Sequence, residues 1–146
     1  MPFIPGIFYN AILVSAVVAW AIAQLMKVVI SVIFLRKLDF QLIFGSGGFP
    51  SSHSATVSAL ALGIGKYYGW DSPIFAVATV FGMIVLYDAA GVRRAAGKQA
   101  EVLNQLVERF YPSLHIDQAR LKELIGHTPF EVFGGVSVGI MVGLLI

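Results

Sequence analysis

Three short stretches of this chain carry side chains able to work on an anion. Residues 47–54 read Gly-Gly-Phe-Pro-Ser-Ser-His-Ser. Two glycines allow a tight turn, a proline fits a helix's first turn, and Ser51 and Ser52 offer capping hydroxyls. His53 adds an imidazole whose charge changes near neutral pH. Backbone N–H groups at such a helix start attract anions, and His53 could give a proton to a leaving oxygen. The plainer reading is a capped helix with an interfacial histidine. Residues 126–131 read Gly-His-Thr-Pro-Phe-Glu. His127 and Glu131, four residues apart, share a helix face, where the carboxylate can fix the imidazole tautomer that a nucleophilic or basic histidine needs. The same residues also spell a helix start, with Thr128 as cap, Pro129 in the first turn and Glu131 closing a capping box, and the two readings are compatible.

The third stretch, residues 88–99, reads Asp-Ala-Ala-Gly-Val-Arg-Arg-Ala-Ala-Gly-Lys-Gln. On an α-helix Arg94 and Lys98 form an i, i+4 cationic pair. With Arg93 they read either as phosphate ligands or as a lipid-headgroup anchor. The α-helical period puts Asp88 and Gln99 on the opposite, apolar face. A buried carboxylate there needs a basic residue, a metal or a protonated histidine as partner.

These stretches must be positioned by apolar helices. The chain is 58 % hydrophobic and 12 % charged, against about 25 % charged in soluble domains, and its mean hydropathy is +0.83. The apolar residues come in blocks, as membrane spans require. There are no cysteines, so thiolate and disulfide chemistry are excluded, and a net charge of +2 gives nucleic acid little to bind. The first block lacks a basic n-region and a small-residue cleavage site, and reads as a retained helix. The expected spans are Ile7 to Leu35, Ser51 to Tyr68, Pro73 to Tyr87 and Pro129 to Ile146. Gln24, Lys27 and Ser31 share one face of the first, so Lys27 either snorkels to the interface or faces a polar cavity in the bundle.

Residues 88–110 read as an amphipathic helix at the membrane surface or against the bundle, with Val92, Ala95, Ala96, Val102, Leu103, Leu106, Val107 and Phe110 on its apolar side. A short polar helix is expected over Asp117 to Ile125. Gly135, Gly139 and Gly143 make two overlapping GxxxG steps, a close-packing face. The loops at 34–50 and 88–128 hold Arg36, Lys37, Arg93, Arg94, Lys98, Arg109, Arg120 and Lys122, against Lys66 alone on the other side. The positive-inside rule puts both loops in the cytoplasm and both termini outside. Lys27, Pro50–Ser54, Asp88–Gln99 and His127–Glu131 then meet at one membrane face.

Pro50-Ser51-Ser52-His53 resembles a signature of the type 2 phosphatidic acid phosphatase superfamily, which includes the vanadium haloperoxidases. The runs from Gly48 to Leu60, Tyr87 to Asn104 and Gly126 to Val132 look like its divergent, membrane-embedded branch. The resemblance implies that His53 protonates the leaving group and that a second histidine attacks phosphorus. His127 keeps that nucleophile's spacing to its acid, with Glu131 in place of Asp. No histidine follows Arg93 and Arg94 at the superfamily's spacing, Arg120 stands seven residues before His127, and Lys27 only loosely matches the first signature.

The expectation is therefore an all-α integral membrane helical bundle, residues 1–146 forming a single transmembrane domain of about four spans plus a cytoplasmic-face amphipathic helix. The expected activity is hydrolysis of a lipid-linked phosphate or pyrophosphate at the cytoplasmic leaflet, with the protein in a bacterial inner membrane. His53, His127, Glu131 and Asp88 would be catalytic, and Lys27, Ser51, Ser52, Arg93, Arg94, Lys98 and Gln99 would bind phosphate. The resemblance implies no metal or cofactor; the partners are membrane lipids, a phosphorylated lipid substrate and, from small size and the glycine faces, a second copy of the chain. The alternative is a non-catalytic membrane protein that binds an anionic headgroup, phosphate or a divalent metal through Asp88 and Glu131.

Overall fold

Asn10 decides where the first long helix begins. Its side-chain oxygen accepts from the Leu13 N–H at 3.0 Å and caps a new helix. The computed structural model, which describes residues 3–35, 48–110 and 126–146, thus has a short helix α1 (Phe3–Phe8) before the long α2 (Ala11–Ile30). Apolar patterning alone predicts one span from Ile7, because it does not register the cap. A π-helical turn, Ser31–Leu35, ends α2.

Ser51 caps α3 (Ser52–Tyr68). Gly69, at φ 92°, and Ser72 then turn the chain into α4 (Pro73–Tyr87), which has Pro73 in its first turn. The helix does not stop at Tyr87. A second π-turn, Asp88–Val92, carries it without a break into α5 (Arg93–Phe110). The last helix, α6 (Pro129–Leu145), starts with the complete capping box of Thr128 and Glu131. Every regular element among the described residues is helical. The polar helix expected over Asp117 to Ile125, and Arg36, Lys37, Arg120 and Lys122, lie outside the described residues.

Helix α3 is the hub against which α2, α4 and α6 pack, and α2 also meets α6. Their shared core is built from small residues: Ala19 and Ala23 of α2, Ala55 and Ala59 of α3, with Val142 of α6. Close backbone approach, rather than bulky interdigitation, holds such helices together in lipid. The glycine stripe of α6 is the clearest case. A methyl group at Gly135 would run into the Ser51 carbonyl, and one at Gly139 into the Ala55 carbonyl. The GxxxG face is thus used up against α3 of the same chain and does not itself require a second copy. At the far end of this seam Lys66 donates to the carbonyls of Gly143 and Leu144 at 3.1 and 3.2 Å, a cation at the negative end of α6.

The outside of the bundle is apolar, with Leu25, Val77, Met83, Ile84 and Met141 all exposed. Two stretches, Ala11–Ile33 and Pro73–Val107, contain windows long and apolar enough to cross a bilayer. This is an all-α membrane helical protein. Helix α5 does not lay its expected apolar side on the described bundle. Val102, Leu103, Leu106 and Phe110 are exposed, while Gly97, Ala100 and Asn104 are buried.

Candidate functional site

The starts of α3 and α6 lie side by side because the seam between them is so tight. The Ser51 N–H donates to the Glu131 carbonyl at 2.9 Å, and the rings of Phe49 and Phe130 stack at 4.9 Å. This pairing brings the imidazoles of His53 and His127 to 6.3 Å between ring centroids, inclined at 45°. They lie 74 positions apart in sequence and reach each other from different helix starts.

The two rings sit in different surroundings. His53, in the first turn of α3, is exposed. His127 retains only 3 % of its surface. Its backbone N–H donates to the Ala89 carbonyl at 3.0 Å, and its Nδ1 lies 3.5 Å from Glu131 Oε2. That contact is an ion-pair approach and not a formed hydrogen bond, since buried Nδ1 has no hydrogen-bond partner. The same carboxylate oxygen accepts from the Thr128 N–H at 2.8 Å. Glu131 thus serves the cap and the imidazole together, and Nε2 is left as the nitrogen on the far side of the ring. Burial holds the His127 imidazole below the usual histidine range. The Lys27 charge adds to this effect and the Glu131 carboxylate opposes it.

His53, Val85, Asp88, Ala89, Arg93, Gly126 and His127 line a small recess that is partly open to solvent. Of the residues singled out from sequence, it gathers His53, His127, Asp88 and Arg93, with Glu131 behind His127. Lys27 is 3 % exposed. It therefore does not snorkel, and its ammonium is held inside the bundle, close enough to depress the His127 pKa.

Five further predicted phosphate ligands stand elsewhere. Ser51 is fully buried in the seam, its hydroxyl accepting from the Ser54 N–H at 3.3 Å and the Ser54 hydroxyl at 2.9 Å. Its N–H is taken by Glu131, so Ser51 is committed to structure. Ser52 is also buried, and its carbonyl accepts from the Thr56 hydroxyl. Lys98 and Gln99 are exposed on α5 and do not line the recess. The α-helical period turned Gln99 to the apolar side; the buried side of α5 is instead that of Gly97, Ala100 and Asn104. Arg94 is exposed and likewise outside the lining, although its backbone is touched by Gly126.

Asp88 has the basic partner expected of it, but on a face that the α-helical period does not predict. The α-helical period separates it from Arg93, yet Arg93 Nε donates to Asp88 Oδ2 at 2.6 Å. The pair is only partly buried, with 46 % and 37 % of the two side chains exposed. Residues five apart differ by about 140° around an α-helix, but the π-turn stacks them. Sequence reading also missed Val85, Ala89 and Gly126. Gly126 has φ 118°, and a methyl group there would overlap the backbone of Arg93 and Arg94. A glycine directly before a candidate histidine was the available signal. Among the described residues no three histidine or carboxylate groups come together as a metal site.

The model of the divergent PAP2 family matches residues 8–142 of this chain. The uncharacterized membrane protein YuiD of Bacillus subtilis (strain 168) is 45 % identical over 148 residues, covering 94 % of each chain. No solved structure matches the chain.

Proposed function

The chain belongs to the divergent PAP2 family, and from that premise we propose that it is a membrane-embedded phosphatase hydrolysing a lipid-linked phosphate or pyrophosphate through a histidine nucleophile. The observation that carries the reading is the facing pair of imidazoles, one desolvated and one reaching solvent, 6.3 Å apart beside Arg93. That separation suits one phosphorus centre between two hydrogen-bonding or attacking nitrogens.

In this mechanism neutral His127 attacks phosphorus through Nε2, and the bond from phosphorus to the leaving oxygen breaks. Cationic His53 gives its proton to that oxygen. Water then attacks the phospho-histidine, the P–N bond breaks, and His53 takes the proton from the water. Burial favours neutral His127 before attack, and Glu131 offsets the charge that develops on its ring. Arg93 uses Nε on Asp88, and its two terminal nitrogens remain to face phosphate oxygens. Lys27 adds a desolvated positive charge beneath the site. The concentration of basic residues in the sequence segments 34–50 and 88–128 supports the cytoplasmic leaflet of a bacterial inner membrane as its place.

Phosphate release by the purified protein from a panel of lipid phosphates and diphosphates, beside His53→Ala and His127→Ala, tests the reading. Turnover that both substitutions abolish is expected. No turnover on any substrate, with vanadate binding intact, would overturn hydrolysis and leave an anionic-headgroup binding protein.

A further inference from the structure

We propose that the π-turn Asp88–Val92 is the positioning device of this site: one extra residue in the helix both aims Arg93 and supplies the carbonyl that anchors His127, with Gly126 as the residue that lets His127 dock. The proposal rests on the hydrolytic reading for its kinetic consequences, but its geometry stands apart from that reading.

The Arg93 N–H donates to the Asp88 carbonyl, five residues back. After Arg93 the ladder of helix α5 returns to the i→i+4 register. A ladder that steps from five back to four skips one carbonyl, and here the skipped group is that of Ala89. A buried carbonyl left out of a helix needs a donor. Ala89 is buried and lines the recess, and its carbonyl accepts from the His127 N–H at 3.0 Å. The unusual register and the anchoring bond are thus two sides of one event.

The same turn accounts for Arg93. In an unbroken α-helix Asp88 and Arg93 would point about 140° apart. In the π-turn they meet at 2.6 Å, so the guanidinium is held by Nε at the recess. Gly126 completes the joint, because its φ of 118° and its contact with the backbone of Arg93 and Arg94 leave no place for a Cβ. Loop residue and helix touch backbone to backbone, which fixes His127 more firmly than side-chain packing would. Ala89 and Gly126 are positioning residues; neither supplies a reacting group.

Two substitutions separate the parts. Deleting Ala90 removes the extra residue. It brings Asp88 and Arg93 to i, i+4 spacing, where they still pair, and returns the Ala89 carbonyl to the ladder. Gly126→Ala keeps the π-turn and blocks the docking. In both, kcat is expected to fall about 10- to 100-fold with KM within about twofold, as for a displaced catalytic group. Side-chain NMR titration of His127 gives a readout that a merely structural role would not move. The groups facing it are Lys27 from α2, His53 from α3, Asp88 and Arg93 from the π-turn and the start of α5, and Glu131 from α6. The undocked ring is expected to titrate higher than in the intact protein, as it regains water. Gly69→Ala is the control: it places a side chain at another positive φ, far from the recess, and should lower stability without moving kcat or the His127 titration. If the Ala90 deletion does not fold, Gly126→Ala against Gly69→Ala decides. Unchanged kcat and titration in Gly126→Ala would overturn the proposal, as would a fall in kcat with the titration unmoved. If the intact protein turns over no lipid phosphate, the hydrolytic reading fails, and the His127 titration in the same variants still upholds or overturns the positioning.

Discussion

The starts of α3 and α6 follow one local grammar and end in different chemistry. Each is capped by a hydroxyl, Ser51 for α3 and Thr128 for α6, accepting from the N–H three residues on. Each carries one imidazole. His53 lies inside the helix, one turn from solvent, whereas His127 precedes its cap and is pressed onto the Ala89 carbonyl with 3 % of its surface left. Capping rules therefore place a histidine near a helix end but do not decide its role. What differs is exposure, and the neighbouring helix sets it. In the proposed mechanism the buried ring is the one that attacks, and the ring that reaches water is the one that gives and recovers a proton.

The two histidines should differ most in their kinetics. His127→Ala should lower phosphate release by about four orders of magnitude or more, as loss of a nucleophile does. His53→Ala should cost about 10²–10⁴-fold on an alkyl phosphate, the range of a general acid. The difference widens with a nitrophenyl ester, whose leaving group needs no proton. His53→Ala should then recover to within about tenfold of the intact protein, while His127→Ala stays inactive. Equal recovery of both variants would show that the roles are not divided this way.

Next in size is the seam that holds the two starts together. Gly139→Ala puts a methyl group into the Ala55 carbonyl, and backbone there cannot give way as a flexible side chain would. Unfolding in mixed micelles should show a loss of about 1–3 kcal/mol, the usual cost of overpacking. Gly6→Ala meets nothing nearby and should change little. A neutral Gly139→Ala would mean that the seam is looser than the distances indicate.

The acid limb of kcat/KM sharpens the electrostatic half of the comparison. His127 must be neutral to attack, and its folded pKa is lowered, first by burial and then by Lys27. Its neutral form therefore persists to lower pH than that of a free histidine, and the limb should fall below about pH 6.5. Lys27→Met removes a charge that disfavours the imidazolium, so the limb should move up. Glu131→Gln removes a charge that favours it, so the limb should move down. Movement of both variants in one direction would show that the limb belongs to another group.

Much of this was legible because it is local. Pro50-Ser51-Ser52-His53, Thr128-Pro129 and Ser72-Pro73 carry their own start signals, and the structure places α3, α6 and α4 where those signals put them. Lys27 was legible as part of a polar stripe with Gln24 and Ser31 in an apolar span, but its burial was not, because snorkelling and inward packing leave the same spacing. Asp88 and Arg93 were misread for a physical reason: a period of 3.6 was applied across a segment whose ladder runs five residues back. The glycine stripe announced close packing, but no pattern within one helix names the partner it packs on. Ser51 looked like a phosphate ligand because a helix start has donors to offer, whereas here its own N–H goes to the Glu131 carbonyl.

The smallest effect tests whether the two caps themselves are equivalent. Thr128 is exposed, so water can replace its hydroxyl on the Glu131 N–H, and Thr128→Ala should cost about 0.5–1 kcal/mol. Ser51 is fully buried and accepts from both the N–H and the hydroxyl of Ser54. Ser51→Ala leaves the Ser54 N–H without its cap where no water enters, so its cost should approach about 2 kcal/mol. Measured side by side by reversible unfolding, a larger loss for Ser51→Ala would show that burial separates two caps built on the same rule, as it separates the two imidazoles. Equal losses would confine the difference between the helix starts to the rings and free the backbone beneath them from any part in it.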